Sequence, residues 1–306
     1  MKFSIQLPTD RVDLPQEFLT AQALAEIGQA VERAGFDSCY VTDHPAPTDE
    51  WLASGGHQTL DPFVALSFIA AATTRILLQL HVLIVAYRNP FLSAKSIATL
   101  DALSGGRVIA GVAAGYLEGE FDALGADFGM RNDITDERLR EMKRIWSGGS
   151  IDLQGRDFNA AGITTLPETA QKPHPPIWVG GNSKRAIRRA VDFGDGWLPF
   201  PTPPAVASRV RTAVVADLDD LKERIAYLRD YAREVGRTRP LDIAFIPFGM
   251  RMNSPKPVDP GAFADKVDEL AEIGVTWLTV APPLGTRADY CNWVTDFGDN
   301  ILSKVR

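Results

Sequence analysis

The chain reads as a (β/α)8 barrel of the α/β class. Three observations predict it. Eight short apolar, β-prone runs alternate with longer amphipathic stretches almost from end to end. The 306 residues suffice for a barrel of about 250 residues plus insertions. The rival architecture, a doubly wound open sheet, needs a glycine-rich phosphate turn after its first strand. Pro8-Thr9-Asp10-Arg11 stands there instead.

The elements follow in order. Phe3 to Leu7 is the first expected strand. Ala21 to Ala34 carries Leu24, Ile27 and Val31 on one helical face and ends at Gly35. Ser38 to Val41 is short, apolar and β-prone, hence a buried strand. Asp61-Pro62 opens the next helix, with Asp as cap and Pro in the first turn, running through Ala72. Arg75 to Val85 is a long apolar strand, Pro90 to Leu103 a helix stopped by Gly105-Gly106, and Arg107 to Ala114 a strand. Thr135 to Trp146 is a charged amphipathic helix. The rhythm breaks from 148 to 176, where Gly, Pro and Asn punctuate short alternating pieces; a β-hairpin insertion within one domain spanning 1–306 is expected. Ile177 to Gly180 and Trp197-Leu198 are short strands flanking a helix from Ser183 to Phe193. The stretch from Pro201 to Ala216 is Pro-rich, then becomes helical, and reads as a mobile loop. Asp219 to Val235, Gly261 to Ile273 and Ala288 to Val305 are helices around strands at Leu241 to Phe248 and Thr276 to Ala281.

Composition narrows the function. A net charge of −7 argues against nucleic acid or anionic membrane as the main partner. Two distant cysteines, Cys39 and Cys291, fit a reducing compartment. The N-terminus lacks a signal-peptide apolar region, so a cytoplasmic protein without a membrane partner is expected. No His, Cys and carboxylate cluster has metal-ligand spacing, so no metal is expected.

Barrel chemistry collects where strands end. Asp43-His44 stands there after the second strand, an acid beside an imidazole that titrates near neutrality. The competing reading is a loop Asp capping a backbone amide beside an exposed His. Gly111 to Tyr116, with Ala114 and Gly115, lets backbone amides approach a ligand, or simply makes a tight turn. Gly180-Gly181-Asn182-Ser183 opens a helix whose free amides suit a phosphate or whose Ser merely caps it. Gln79 and His81 share one face of an apolar strand, facing either a ligand or a hydrogen-bonded core. Gly194-Asp195-Gly196-Trp197 favours packing.

Four segments in register resemble the luciferase-like monooxygenase superfamily of flavin and deazaflavin enzymes. They are Glu32 to Asp37 running on to Thr42-Asp43-His44; Leu103-Ser104-Gly105-Gly106-Arg107 running to Gly111 and Gly115; Pro176 to Ser183; and Arg188-Arg189-Ala190 running to Gly194-Asp195-Gly196-Trp197. The resemblance is strongest to the branch of oxidoreductases using the deazaflavin coenzyme F420. It implies a luciferase-like TIM barrel, usually a homodimer, with the cofactor in the mouth. It further implies that Asp43 contacts the deazaflavin ring and that His44 lies beside the reacting carbon. His81 and Val82 would form a bulged non-prolyl cis peptide behind the ring. Ala114 and Gly115 would touch the ribityl and phosphate portion, and Gly180, Gly181, Asn182 and Ser183 the phosphate and tail.

The chain departs from the pattern in three places. His81 occupies a position that is usually small. Tyr116 stands where the sugar-phosphate dehydrogenase branch carries a catalytic Glu, and Gly119 where it carries an Asn. An F420-dependent oxidoreductase acting on another small organic substrate is therefore expected, with His44 and Tyr116 as catalytic residues. The loop from Pro45 to Leu60 and the segment from Pro201 to Pro204 would wall the substrate. A monooxygenase using reduced FMN is the nearest alternative, and a flavin-binding protein without turnover the second.

Overall fold

The computed structural model describes residues 1–249, 258–283 and 285–305. Ten strands are present among them: β1 (Lys2–Gln6), β2 (Ser38–Val41), β3 (Leu77–Ile84), β4 (Val108–Ala113), β5 (Ile151–Gly155), β6 (Phe158–Ile163), β7 (Ile177–Gly180), β8 (Gly196–Leu198), β9 (Asp242–Phe245) and β10 (Trp277–Val280). Eight of them close into a parallel barrel in the order β1-β2-β3-β4-β7-β8-β9-β10. These are the eight strands expected from the sequence, some shortened: the run from Leu241 to Phe248 keeps only four residues as strand. The remaining two, β5 and β6, pair antiparallel as the expected hairpin.

Helix boundaries obey local chemistry. Asp61 accepts hydrogen bonds from the N–H groups of Phe63 and Val64, with Pro62 in the first turn. Asn89-Pro90 repeats the device, and Gly105, at φ 70°, closes that helix in the left-handed region. The helix expected from Thr135 begins earlier, at Arg131, because its first turn is polar and lacks the apolar period. Short helices at Pro15–Phe18, Asp49–Ala53 and Glu118–Ala123 span four to six residues, too few for a 3.6-residue period to register; the helical turn expected within Pro201 to Ala216 is Pro204–Arg209. The last two elements expected as one helix are Arg287–Phe297 followed by a π-turn at Gly298–Leu302. Among the described residues no helix is long and apolar enough to cross a membrane.

The Gly-Gly-Arg motif has a structural explanation. Arg107 is buried, and its guanidinium donates to the carbonyls of Ser104, Ile76, Ala70 and Thr73 and to the Thr73 hydroxyl. Two of those carbonyls end the helix Pro62–Ala72, so the cation also meets the negative end of a helix dipole.

The barrel interior is divided. On one side, Ser38 donates to Ser4, Ser4 donates to Gln79 Oε1, and Gln79 Nε2 lies 3.1 Å from His81 Nδ1. The Tyr40 ring packs 4.5 Å from the His81 ring. On the other side, Ile109, Trp178, Leu198, Ala244 and Trp277, one from each of five consecutive strands, form an apolar cluster. Burial lowers the His81 pKa to about 4. Its neutral Nδ1 therefore accepts from the Gln79 amide.

β3 and β4 do not run in simple register. Leu80 pairs with Ala110 but Leu83 with Val112, so β3 carries one extra residue. The His81–Val82 peptide in this bulge is cis, as the family resemblance implies. Opposite it, a Cβ on Gly111 would lie 2.0 Å from the Leu80 carbonyl oxygen, so only glycine fits there.

Two outcomes are expected. Arg107→Met removes the donor to four carbonyls, three of them in buried contacts, and should lower unfolding free energy by about 3 kcal/mol or more, measured by urea denaturation. His81 binds its proton more weakly in the fold than in the unfolded chain, so stability falls as pH drops from 6.5 toward 4. His81→Gln should flatten that fall by on the order of 1 kcal/mol per pH unit, read from urea midpoints across the window.

Candidate active site

The carboxyl ends of the barrel strands gather the residues singled out in the sequence, with one addition. His44 Nδ1 lies 3.2 Å from Glu120 Oε1, and Glu120 is only 3% exposed. The carboxylate can only accept, so Nδ1 carries the proton and Nε2 is the atom left for a ligand. Glu120 sits in the short helix Glu118–Ala123 after β4, next to the fully buried Phe121. Its neighbour Glu118 points elsewhere and pairs with Arg211 at 2.9 Å. Sequence reading passed over Glu120 and looked for the acid at position 116. The available signal was an acid directly before an aromatic in a strand-end loop.

An aromatic wall surrounds His44. The rings of His57, Trp51 and Tyr116 lie 5.0, 5.8 and 6.2 Å from it. Trp51 and Tyr116 meet edge to face at 5.5 Å. His57, within the loop expected to wall the substrate, has Nε2 3.2 Å from the Thr42 hydroxyl. Burial, then the nearby His44, lowers its pKa to about 4, so it is neutral at ordinary pH. Burial and then the charge of Glu120 push the Tyr116 phenol up, so it keeps its proton. At Gly119, a Cβ would meet Thr48 Cγ2 at 2.3 Å, so an Asn there would need this loop to move.

Asp43 is anchored within the protein. Its carboxylate is 3% exposed and engaged by the protein itself: Oδ1 accepts from Arg88 at 2.8 Å, and Oδ2 from the Ile84 amide at 3.2 Å and the Tyr87 hydroxyl at 3.4 Å. Burial raises its pKa, and Arg88 opposes that. Asp43 thus ties the end of β2 to the turn after β3 instead of presenting a free carboxylate. The partner, Arg88, lies 45 residues further along the chain, beyond any local pattern.

Asn182 is likewise a clamp. Fully buried, it donates to the carbonyls of Phe200 and Ala213 and to Thr202, and accepts from the Phe200 amide. Thr212 bonds its backbone N–H. These contacts fold the segment from 200 to 213 back onto β7, with Thr202 bridged to Val215. The stretch expected to be mobile is therefore tied down at its base. Ser183 caps the helix Lys184–Phe193 by accepting from the Ala186 amide. At the outer end of the same segment, the Arg209 guanidinium lies 4.3 Å from the Trp51 ring.

Between the bulge and this clamp lies a shelf of small residues. A Cβ on Gly180 would come 3.2 Å from Val82 and 3.6 Å from Ala113. Ala114 follows, then Gly115 at φ 82°, where a Cβ would press on Ile84 and Phe121 at 2.8 Å. Gly181, at φ 114°, accepts from Trp197 Nε1 at 2.8 Å. These small residues let the bulge of β3 and the ends of β4 and β7 pack closely.

Comparison with known proteins agrees with this architecture. Residues 1–216 match the family model described as luciferase-like monooxygenase. An uncharacterized protein of Mycobacterium tuberculosis is 26% identical, the match covering 91% of this chain and 94% of that protein. The crystal structure of monooxygenase RslO1 from Streptomyces bottropensis superimposes with a TM-score of 0.75 at 19% identity over all of both chains. The coenzyme F420-dependent tetrahydromethanopterin reductase from Methanopyrus kandleri does so with a TM-score of 0.73 at 18% identity, covering 100% of this chain and 99% of that one. With the family model matched over well more than half of its length, the chain belongs to the luciferase-like monooxygenase family.

Proposed function

We propose that the protein is an oxidoreductase that moves a hydride between coenzyme F420, an 8-hydroxy-5-deazaflavin, and a small organic substrate. The observation that carries this reading is His44, held at Nδ1 by buried Glu120, with Nε2 unengaged among the described residues. Moving a hydride to or from a carbon that bears oxygen leaves a proton to be placed, and a positioned imidazole does that at neutral pH. Glu120 fixes the tautomer and steadies the imidazolium.

The residues present fit the cofactor. Val82, Ala113, Ala114, Gly115 and Gly180 would hold its ring on the small-residue shelf, where a larger side chain would intrude. Gly181 and Ser183 would border its phosphate, with Asn182 fixing that loop and Asp43 fixing the turn behind the ring. His81 supports the bulge from below through Gln79. When bound, the deazaflavin supplies the hydride chemistry. Trp51, His57 and Tyr116 exclude water around His44 Nε2, and Tyr116 can donate a hydrogen bond to a substrate oxygen.

The family description and the likeness to a monooxygenase favour a second reading, oxygenation with reduced FMN. Absorbance titration separates the two. Saturable binding of F420, with FMN bound at least tenfold more weakly, supports the first reading; tight FMN binding with oxygen-dependent product overturns it. On the F420 reading, His44→Ala and Glu120→Gln should bind F420 within twofold of the wild type. Turnover should drop about 10²- to 10⁴-fold for His44→Ala, while Glu120→Gln should shift the pH profile as well as lowering kcat.

A homodimer belongs to the same proposal. The helices Pro62–Ala72 and Pro90–Ser104 pack side by side and expose Val64, Phe68, Leu92 and Leu103, each more than 40% accessible. An apolar face of that kind on a soluble barrel marks an interaction surface. Leu92→Glu should convert a dimer into a monomer in sedimentation velocity without loss of secondary structure; a wild-type monomer would remove the proposal.

A further inference from the structure

We infer that residues 45–56 form a lid over His44, and that Arg209 is the positioning residue that latches it, acting through the Trp51 ring. This rests on the reading of His44 as the reacting imidazole and deepens it.

The segment is a self-contained unit. Thr48 accepts from the Trp51 N–H, the Ser54 hydroxyl donates to the Trp51 carbonyl, and the Gly56 amide donates to the same carbonyl. Among the described residues, no hydrogen bond or ion pair leaves residues 45–56. The chain is fastened on either side of it. His44 is held by Glu120, and His57 by Thr42. Lifting the segment between those points breaks no hydrogen bond to the barrel.

Packing alone holds it down. Thr48 Cγ2 fills the place that a side chain at Gly119 would take. The Trp51 ring meets Tyr116 edge to face, and its Nε1 has no hydrogen-bond partner among the described residues. A segment held by methyl and ring contacts opens at lower cost than one bonded to its scaffold.

The latch comes from a fixed element. Arg209 ends the helix Pro204–Arg209, in the segment that Asn182 clamps and that Arg211 ties to Glu118. The Arg209 guanidinium has no hydrogen bond or ion pair among the described residues, and it lies 4.3 Å from the Trp51 ring. An indole is the strongest aromatic partner for a cation. The charge also reaches Tyr116, where it opposes the rise that burial and Glu120 impose on the phenol. Arg209 thus spans two loops that share no polar bond.

With the lid down, the His44 side chain is 10% exposed. A substrate reaching Nε2 lifts the lid, and closure behind it keeps water from the proton exchange.

The test maps diethylpyrocarbonate modification of each His by peptide mass spectrometry, on the whole chain without cofactor. His174, stacked on Trp146, is the internal reference. Arg209→Gln and Trp51→Ala should each raise the His44 rate at least fivefold and leave the His174 rate unchanged. Arg209→Lys keeps a cation and should retain most of the protection. A His44 rate unmoved by Arg209→Gln, or raised equally by Arg209→Lys, overturns the latch. Arg209 is exposed, so Arg209→Gln decides the matter should Trp51→Ala fail to fold. The readout needs neither turnover nor cofactor. A protein whose His44 is unmasked as expected but which does not bind F420 overturns the functional proposal and leaves the lid standing. F420-dependent turnover with His44 rates unmoved by the substitutions does the reverse.

Discussion

The close passage of β4 beneath the Leu80 carbonyl governs the rest of the mouth. With no side chain at Gly111, the two strands can stay paired while β3 carries an extra residue. That extra residue turns His81 toward Tyr40 and Gln79 and puts Val82 beside Gly180. It also sets where Ile84 emerges, and Ile84 is where Asp43 fastens β2 to β3. A methyl group at position 111 would collide with backbone, not with a flexible side-chain tip. The collision has no cheap relief, and every one of those placements depends on avoiding it.

The same logic of fixed anchors explains why the candidate site consists of two kinds of residue. Asp43, Asn182, Arg107 and Gln79 are polar and buried, and each is engaged within the protein. They hold loops. His44 is different, because its Nε2 is not engaged by the described residues. Burial alone did not separate the groups; the hydrogen-bond partners did. A buried polar residue in a strand-end loop is as apt to be a clamp as a ligand contact, and only its partners reveal which.

The architecture was legible in the sequence because it is written in local periods. Apolar runs of four to eight residues, caps such as Asp61-Pro62 and stops such as Gly105-Gly106 act within a turn or two of their own position. The candidate site was only half legible. His44 stood out because a strand-end His next to an Asp is a local feature. Glu120 did not, because its helix is six residues long and its partner is 76 residues away. Asp43 looked like a ligand contact for the same reason: Arg88 and Tyr87, which claim it, come from a different strand end. Long-range pairing is the information that periodicity does not contain. His57 shows it again, a residue in a featureless loop whose position beside Thr42 appears only when the loop folds back.

The division of the barrel interior carries the argument furthest. β1, β2 and β3 line their side with hydroxyls, amides and an imidazole, whereas β4, β7, β8, β9 and β10 contribute the apolar cluster around Trp178 and Trp277. On the proposed reading, a flat conjugated ring would gain most from the apolar, small-residue side near Gly180 and Ala113. On the same reading, a substrate that exchanges protons would gain most from the polar side, near His44, whose Nε2 has no partner among the described residues. The two proposed ligands would thereby be sorted by solvation before any specific contact forms. Reversing their places would bury a polar substrate against Trp178 and strand unpaired hydrogen-bonding groups, a cost of several kcal/mol. On that reading, orientation in this mouth would follow from which half of the barrel can satisfy which molecule, with the loops refining it.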